Sequence, residues 1–152
     1  MFGFFKIFFG SESDDSHFNT SLLTAMDGLD IQTAMVAHEN WKVRLQAYLN
    51  GSSSEKFLPE VICFDNHCDL GQWIHGNGQL HMGKFPGFVS LLEHHKMFHY
   101  AASNVVALSQ AGKEADAHKM LDGQFATFSK AVAADLEGMH YAVEHSKARK
   151  HG

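Results

Sequence analysis

Apolar residues at intervals of three and four recur along three stretches of this chain of 152 residues. This spacing places side chains on one face of an α-helix. The stretches run from about residue 30 to 50, from 86 to 111 and from 113 to 146. No stretch alternates apolar and polar residues as a half-buried strand does. The pattern predicts an all-α protein, a helical bundle of about four main helices plus a short helix.

The residues expected in the core are those that share the apolar face of a long helix. In chain order they are Ile31, Met35, His38, Trp41, Leu45 and Tyr48, then Phe88, Leu92, His95, His99, Ala102 and Val106, then Phe125, Phe128, Val132, Leu136, Met139 and Val143.

Capping and turn residues indicate where the helices begin and end. A helix before the first long stretch is expected to start at Asn19 or Thr20, since either side chain can act as an N-cap. Pro86 suits the first turn of the second long helix. Gly112 is expected to end that helix, and Gly123 to kink the last one.

Shorter elements are expected between the long helices. Residues 51–67 contain serine-rich turns and Pro59, which predicts a loop with at most a short turn of helix. Residues 70–74 are predicted to form a brief helix closed by the glycines at 76 and 78. Cys68 lies just before this short helix and is expected to be carried by it.

The composition divides the chain into three parts. Residues 1–28 hold an apolar segment, 1–10, and an acidic linker; residues 29–146 form the bundle; and residues 147–152 are a basic tail expected to fray. The apolar segment is shorter than the roughly 20 residues that cross a bilayer. It also lacks the charge that anchors a peptide to anionic lipid. We expect residues 1–10 to contact protein rather than a membrane.

Three histidines and one cysteine have the residue types and positions of a metal site. His38, His95 and His99 each fall on an apolar face, and the last two are one helical turn apart. Together with Cys68 they supply three imidazoles and one thiol, a complete ligand set for a closed tetrahedral Zn²⁺ site. Any single one is better explained as a hydrogen-bonded core histidine, but one ion would satisfy all four groups at once.

Neighbouring residues are expected to play lesser parts. His94 lies about 100° around its helix from the ligand candidate His95. It is therefore expected to be exposed or to support a ligand. Glu39 and Asp69 could accept a ligand N–H, although the surface suits both carboxylates better. Cys63 is expected to be a small buried side chain away from the metal. His67 could replace a lost ligand.

Composition excludes some functions and indicates an environment. Lys and Arg are scattered and the net charge is −5, which argues against a nucleic-acid partner. The 12 histidines would take the charge to +7 if all were protonated, so acid near pH 6 changes this chain strongly. Two cysteines and no signal peptide predict an intracellular protein with free or metal-bound thiols.

Three ordered motifs resemble those of the chemoreceptor zinc-binding (CZB) domain family. Residues 68–73 resemble its Cys-x-Leu-Gly-x-Trp signature, residues 95–99 match its His-x-x-x-His motif, and residues 37–45 resemble its first-helix motif. The resemblance covers about residues 29–145. It implies a helical bundle that binds zinc in the bacterial cytoplasm, and a homodimer.

The resemblance implies that His38, Cys68, His95 and His99 bind Zn²⁺. It further implies a zinc- or oxidant-responsive regulatory module in chemotaxis or cyclic-di-GMP signalling. No signalling domain is evident in the chain, so the output is expected to pass through an unidentified signalling protein. Catalysis is not expected, because four protein ligands leave no position for an activated water.

Two other functions use overlapping residues. A hemerythrin-like di-iron bundle that carries oxygen would use the three histidines together with His140 and Glu144, but it leaves Cys68 unexplained. A zinc hydrolase would use three histidines and a water, with Cys68 turned away, but no carboxylate is clearly placed as its general base.

Overall fold

The computed structural model describes residues 15–151, with side chains from 16 to 148. The predictions for the apolar segment 1–10 and for most of the acidic linker lie outside these residues. Within the described part every regular element is a helix and there is no strand, so the prediction of an all-α protein is confirmed. None of these helices is both long and apolar enough to cross a membrane.

Four long elements make the bundle and shorter helices connect them. In chain order the helices are α1 (Asp15–Ala25), α2 (Ile31–Leu49), α3 (Pro59–Ile62), α4 (Asp69–Trp73), α5 (Gln79–Met82), α6 (Pro86–Gln110), α7 (Glu114–Met120) and α8 (Ala126–His151). Helices α7 and α8 are joined through a π-helical turn and count as one long element, beside α1, α2 and α6. The predicted bundle of about four main helices is therefore confirmed.

The ends of α2 and α6 follow from local chemistry. The Asp30 side chain caps α2 by accepting a hydrogen bond of 3.1 Å from the Thr33 backbone N–H. Pro86 is the first residue of α6, a position whose backbone N–H would have no carbonyl partner within the helix, so proline loses no hydrogen bond there. Gly112 follows α6 with a φ of +79°, a conformation that side chains with a Cβ rarely adopt.

Two predicted helix ends differ from the structure. Helix α1 begins at Asp15, so Thr20 lies inside the helix and does not cap it. The Thr20 hydroxyl donates to the Ser16 carbonyl at 3.0 Å, one turn earlier. Helix α8 continues to His151, beyond the predicted end at Ser146. The buried Ser146 hydroxyl donates to the Asn19 side-chain oxygen at 2.7 Å and fixes this part of α8 against α1.

Gly76 interrupts the helix that begins with α4, as predicted. Its φ of −114° and ψ of −111° are not helical, and the chain bends there, within Ile74–Gly78, before it enters α5. The bend is tied to the end of α1, since the Asn77 side-chain amide donates to the Asp27 carbonyl at 3.0 Å. Gly123 lies in the π-helical turn Leu121–Phe125 between α7 and α8, which confirms an irregularity there.

The core lies where α6 meets α2 and α8, with α7 packed on the same helix. Most residues of the three predicted faces are buried, including Phe88, Phe125 and Leu136. Five are half-buried: Met35, Trp41, Tyr48, Leu92 and Phe128. The three histidines of the predicted site are buried in this core, so their polar imidazole rings are surrounded by apolar side chains.

Candidate metal centre

Four side chains from three separate parts of the chain converge at one point. His38 comes from the middle of α2, His95 and His99 from successive turns of α6, and Cys68 from the N-cap position of α4. Their ligand atoms all lie within 4.8 Å of one another. The histidines are at most 5% exposed and Cys68 is half-buried. The structure thus brings together the four residues that the sequence singled out.

Five of the six distances between the four ligand atoms are close to those of a tetrahedron around zinc, and the sixth, between His38 and His99, is within 4.8 Å. A tetrahedral ion with usual Zn–N and Zn–S bond lengths separates two nitrogens by about 3.3 Å and a nitrogen from a sulfur by about 3.6 Å. His95 Nε2 lies 3.1 Å from His38 Nε2 and 3.2 Å from His99 Nε2. The Cys68 sulfur lies 3.3 to 3.8 Å from the three Nε2 atoms.

Backbone carbonyls orient two of the three imidazoles. The Nδ1–H of His38 donates to the Ala34 carbonyl at 2.8 Å, and that of His99 donates to the Ile62 carbonyl at 3.0 Å. Because a carbonyl only accepts, these bonds place the proton on Nδ1 and leave an Nε2 lone pair facing the centre. Without a cation these lone pairs would face one another, so the arrangement suits a metal ion.

His95 has no such carbonyl, and the group that lies beside it was not among the carboxylates expected from the sequence. Its Nδ1 is buried without a hydrogen-bond partner, and the nearest acceptor is the Asp65 carboxylate at 3.7 Å. Asp65 is itself held by the His75 ring at 2.9 Å. Asp69 and Glu39, the carboxylates considered from the sequence, are both exposed. An acidic residue three positions before Cys68 was the available signal.

Cys68 is positioned by the turn that begins α4. Its sulfur accepts a hydrogen bond of 3.3 Å from the Gly71 backbone N–H, as an N-cap side chain does. A Cβ at Gly71 would lie 1.6 Å from the Asp65 carbonyl oxygen, so only glycine fits. The Leu-Gly pair after Cys68 therefore serves close packing of this turn. Burial raises the pKa of the Cys68 thiol, against the opposing effect of the Gly71 N–H.

Burial also sets the protonation of the histidines. It lowers the pKa of His95 to about 2 and that of His99 to about 4, and it lowers the pKa of His38. The three rings are therefore neutral at pH 7, which is the form that binds metals. Three imidazoles and one thiolate are borderline-soft donors that suit zinc better than Mg²⁺ or Ca²⁺.

Cys63 and the other histidines whose side chains the structure describes lie outside the cluster. His94 points to the other side of α6, where its Nδ1 lies 2.7 Å from the Asp135 carboxylate. Cys63 is half-buried, less than expected, and its thiol donates to the Glu60 carbonyl at 3.6 Å. His67 is exposed and its ring packs against another side chain of the same loop.

The residues of the di-iron alternative do not meet. His140 lies on α8 beside Gln32, at 3.3 Å, and Glu144 is 58% exposed next to Lys147. Neither belongs to the group of potential ligands formed by the three histidines and Cys68. A bridged pair of iron ions therefore lacks its carboxylate ligand here.

Comparison with known protein families agrees with this geometry. Residues 38–106 match the family model of the chemoreceptor zinc-binding domain. The match starts at His38 and includes Cys68, His95 and His99. Residues 38–106 therefore belong to the chemoreceptor zinc-binding (CZB) domain family. The cofactor of this CZB domain is zinc, as predicted, and the described part of the chain has a four-residue cluster suited to hold it. No curated protein and no solved structure matches the chain.

Proposed function

We propose that this CZB domain is a zinc-binding regulatory module that works as a zinc- or oxidant-responsive switch in bacterial signalling. His38, Cys68, His95 and His99 would hold the ion. The observation that carries the proposal is the separation of their four ligand atoms, 3.1 to 3.8 Å for the pairs measured above, which matches a closed tetrahedral zinc site.

The same ligand set argues for regulation and against catalysis. A catalytic zinc keeps one position for water or substrate, whereas three histidines and a cysteine fill all four. Asp65, the carboxylate that lies 3.7 Å from His95 Nδ1, is engaged by His75 at 2.9 Å. It is therefore poorly placed to act as a general base on a water.

Cys68 is the group through which an oxidant would act. Zinc, when bound, keeps a thiol ionised at neutral pH, and thiolate is the form that oxidants attack. The sulfur would take an oxygen atom from hypochlorite or peroxide to give a sulfenic acid, with chloride or water as the other product. Imidazoles resist such mild oxidants. A sulfenic acid would be a poorer ligand, and Cys68 would leave the cluster.

The segment around α4 is the element that such a change would move. Cys68 starts α4, and Trp73 ends it with an indole N–H that donates to the Ala25 carbonyl at 2.6 Å. Ala25 is the last residue of α1. Displacement of Cys68 would therefore pull on α1, which packs against α8. A partner that reads the position of α1 would sense the state of Cys68.

We further propose a cytoplasmic homodimer that passes its output to a separate signalling protein. Val36 and Val43 are 64% and 61% exposed on α2. They lie seven residues apart, so they point in nearly the same direction, as residues of a helix–helix seam do. Contact of residues 1–10 with a membrane is the less favoured role for that segment.

The test follows zinc and Cys68 together. Protein purified without added metal should contain about one zinc per chain. Near-stoichiometric hypochlorite should modify Cys68 and release zinc. Mass spectrometry detects the modification, and a chromogenic reporter detects the released zinc. Cys63→Ser should respond like the parent, whereas Cys68→Ser should bind zinc more weakly and not respond to oxidant. Zinc that stays fully bound after Cys68 is oxidised would leave a structural site and contradict the switch.

A further inference from the structure

In the described part of the chain, two cavities share Cys68, Trp41 and Arg44 in their lining. The first, here called the basic cavity, has a volume of about 320 Å³ and is lined by Cys68, His99, Trp41, Arg44, Lys56 and His67, among others. The second, here called the acidic groove, has a volume of about 770 Å³ and also reaches Cys68. Its lining includes three carboxylates, Asp27, Asp30 and Asp69. The two routes to one sulfur thus differ in charge.

The charge of the basic cavity comes chiefly from Lys56. Arg44 is fixed in the wall, with its guanidinium 4.2 Å from the centre of the Trp41 ring, and it is neutralised by Glu55 at 2.6 Å. Lys56 is exposed and has no ion pair with any residue of the described part of the chain. Its positive charge is therefore free to act on a molecule that enters.

The other walls of this cavity are apolar. Leu58, Val61 and Phe64 line it and are 54%, 45% and 55% exposed, and the Phe57 ring lies 5.7 Å from that of Trp41. Apolar walls lower the local dielectric constant, so one fixed charge acts more strongly there than on an open surface. The combination suits a small anion and not a cation.

We propose that the basic cavity is an entry site for small anions and delivers them to the Cys68 sulfur. Anionic oxidants are then the class of reagent to which the site responds fastest, ahead of neutral oxidants of similar size and reactivity. This inference rests on the proposed function in one respect, since it takes Cys68 as the reacting atom. It adds the selectivity of that reaction and the residue that sets it, Lys56.

Iodoacetate and iodoacetamide measure this selectivity directly. They have nearly the same size and differ in charge, and both alkylate a thiolate: the Cys68 sulfur bonds to the CH₂ carbon and iodide leaves with the electron pair of the C–I bond. The experiment uses zinc-loaded full-length protein carrying Cys63→Ser, so that Cys68 is the only thiol. The quantity compared is the ratio of the two second-order rate constants, iodoacetate over iodoacetamide.

Lys56→Glu is the test variant and Lys84→Glu its matched control. Both remove one exposed lysine and change the net charge equally, but Lys84 lies beside Phe85 and lines a different cavity. We expect Lys56→Glu to lower the rate ratio about 3- to 10-fold at low salt, and Lys84→Glu to leave it unchanged. Salt at about 0.5 M should remove most of the effect. Zinc content confirms that each variant keeps its metal.

Three results would overturn the inference. Equal loss in the two lysine variants would mean that net charge matters and the cavity does not. A ratio that rises in Asp27→Asn, with no change in Lys56→Glu, would assign entry to the acidic groove. Failure of both reagents to modify Cys68 in the folded protein, with normal reaction after unfolding, would mean that neither opening admits them. Oxidant-driven zinc release is a separate measurement, so the switch can fail while the anion preference stands.

Discussion

His38 and His99 are each fixed at Nδ1 by a carbonyl, one from the same helix and one from α3. His95 is different, because its Nδ1 has only the Asp65 carboxylate nearby, at 3.7 Å. A ligand imidazole usually donates its second N–H to such a group, which sets its orientation and strengthens its binding. At the scale of single residues, the site thus has two rings held by carbonyls and one, His95, whose Nδ1 has no hydrogen-bond partner.

The two ligands on α6 should differ sharply from their neighbour. His95→Ala or His99→Ala removes a donor and should weaken zinc binding by more than the 10- to 100-fold typical of losing a supporting group. His94→Ala should change the zinc affinity little, because His94 binds Asp135 on the other side of α6. Competition with a chromogenic chelator measures all three. Equal losses would show that α6 is rotated from the position described.

Asp65→Asn should weaken zinc binding about 10-fold, since the amide is a poorer partner for the His95 N–H than a carboxylate. Asp69→Asn is the control, because that carboxylate, on the first residue of α4, is exposed. Chelator competition with both proteins gives the comparison. An unchanged affinity in Asp65→Asn would mean that the 3.7 Å separation persists when zinc is bound.

The four ligands could be predicted from the sequence because helical spacing and donor chemistry both act locally. Two residues one turn apart must share a helix face, whatever the rest of the chain does. The groups that orient the ligands could not be predicted in this way. The Ile62 carbonyl reaches His99 across 37 positions and Asp65 lies beside His95 across 30, so both depend on how the loop before α4 packs.

At the scale of elements, the long helices followed from their apolar faces and the short helix after Cys68 from its neighbouring glycines, whereas α5 did not follow from the sequence. Hydrophobic periodicity needs about three turns to be recognised. Helix α5 has four residues, and the bend at Gly76 that leads into it depends on the contact of Asn77 with Asp27. Short elements such as these are fixed by tertiary contacts and leave no pattern of their own.

The turn that holds Cys68 should be the least tolerant part of the connections. Gly71→Ala places a Cβ against the Asp65 carbonyl, so the backbone must move and Cys68 with it. We expect a loss of about 2 kcal/mol or more in stability, together with weaker zinc binding. Gly123→Ala is the matched control, because a Cβ there meets nothing within 4 Å and alanine favours a helix. Thermal unfolding with and without zinc distinguishes the two, and equal effects would contradict the close packing at Gly71.

At the scale of the whole molecule, the buried histidines connect stability to pH. An unfolded histidine binds a proton near pH 6.5, whereas burial lowers the folded pKa of His95 to about 2 and of His99 to about 4. Below pH 6.5 the unfolded chain therefore binds more protons than the folded one. The zinc-free fold is most stable above that pH and loses stability as the pH falls through this window toward the folded pKa values.

The loss of folding stability at low pH can be assigned to individual buried histidines. Each histidine that is neutral when folded and protonated when unfolded costs about 1.4 kcal/mol of stability per pH unit. Between pH 6 and pH 4.5, the zinc-free protein should therefore lose stability about 1.4 kcal/mol per pH unit more steeply than the variant His95→Leu, which carries one titrating ring fewer. Urea unfolding at several pH values measures both slopes, and the comparison of slopes does not require the variant to be as stable as the parent. If His95→Leu has the same slope as the parent, His95 is not buried in its neutral form. The centre described above would then be open to water when zinc is absent.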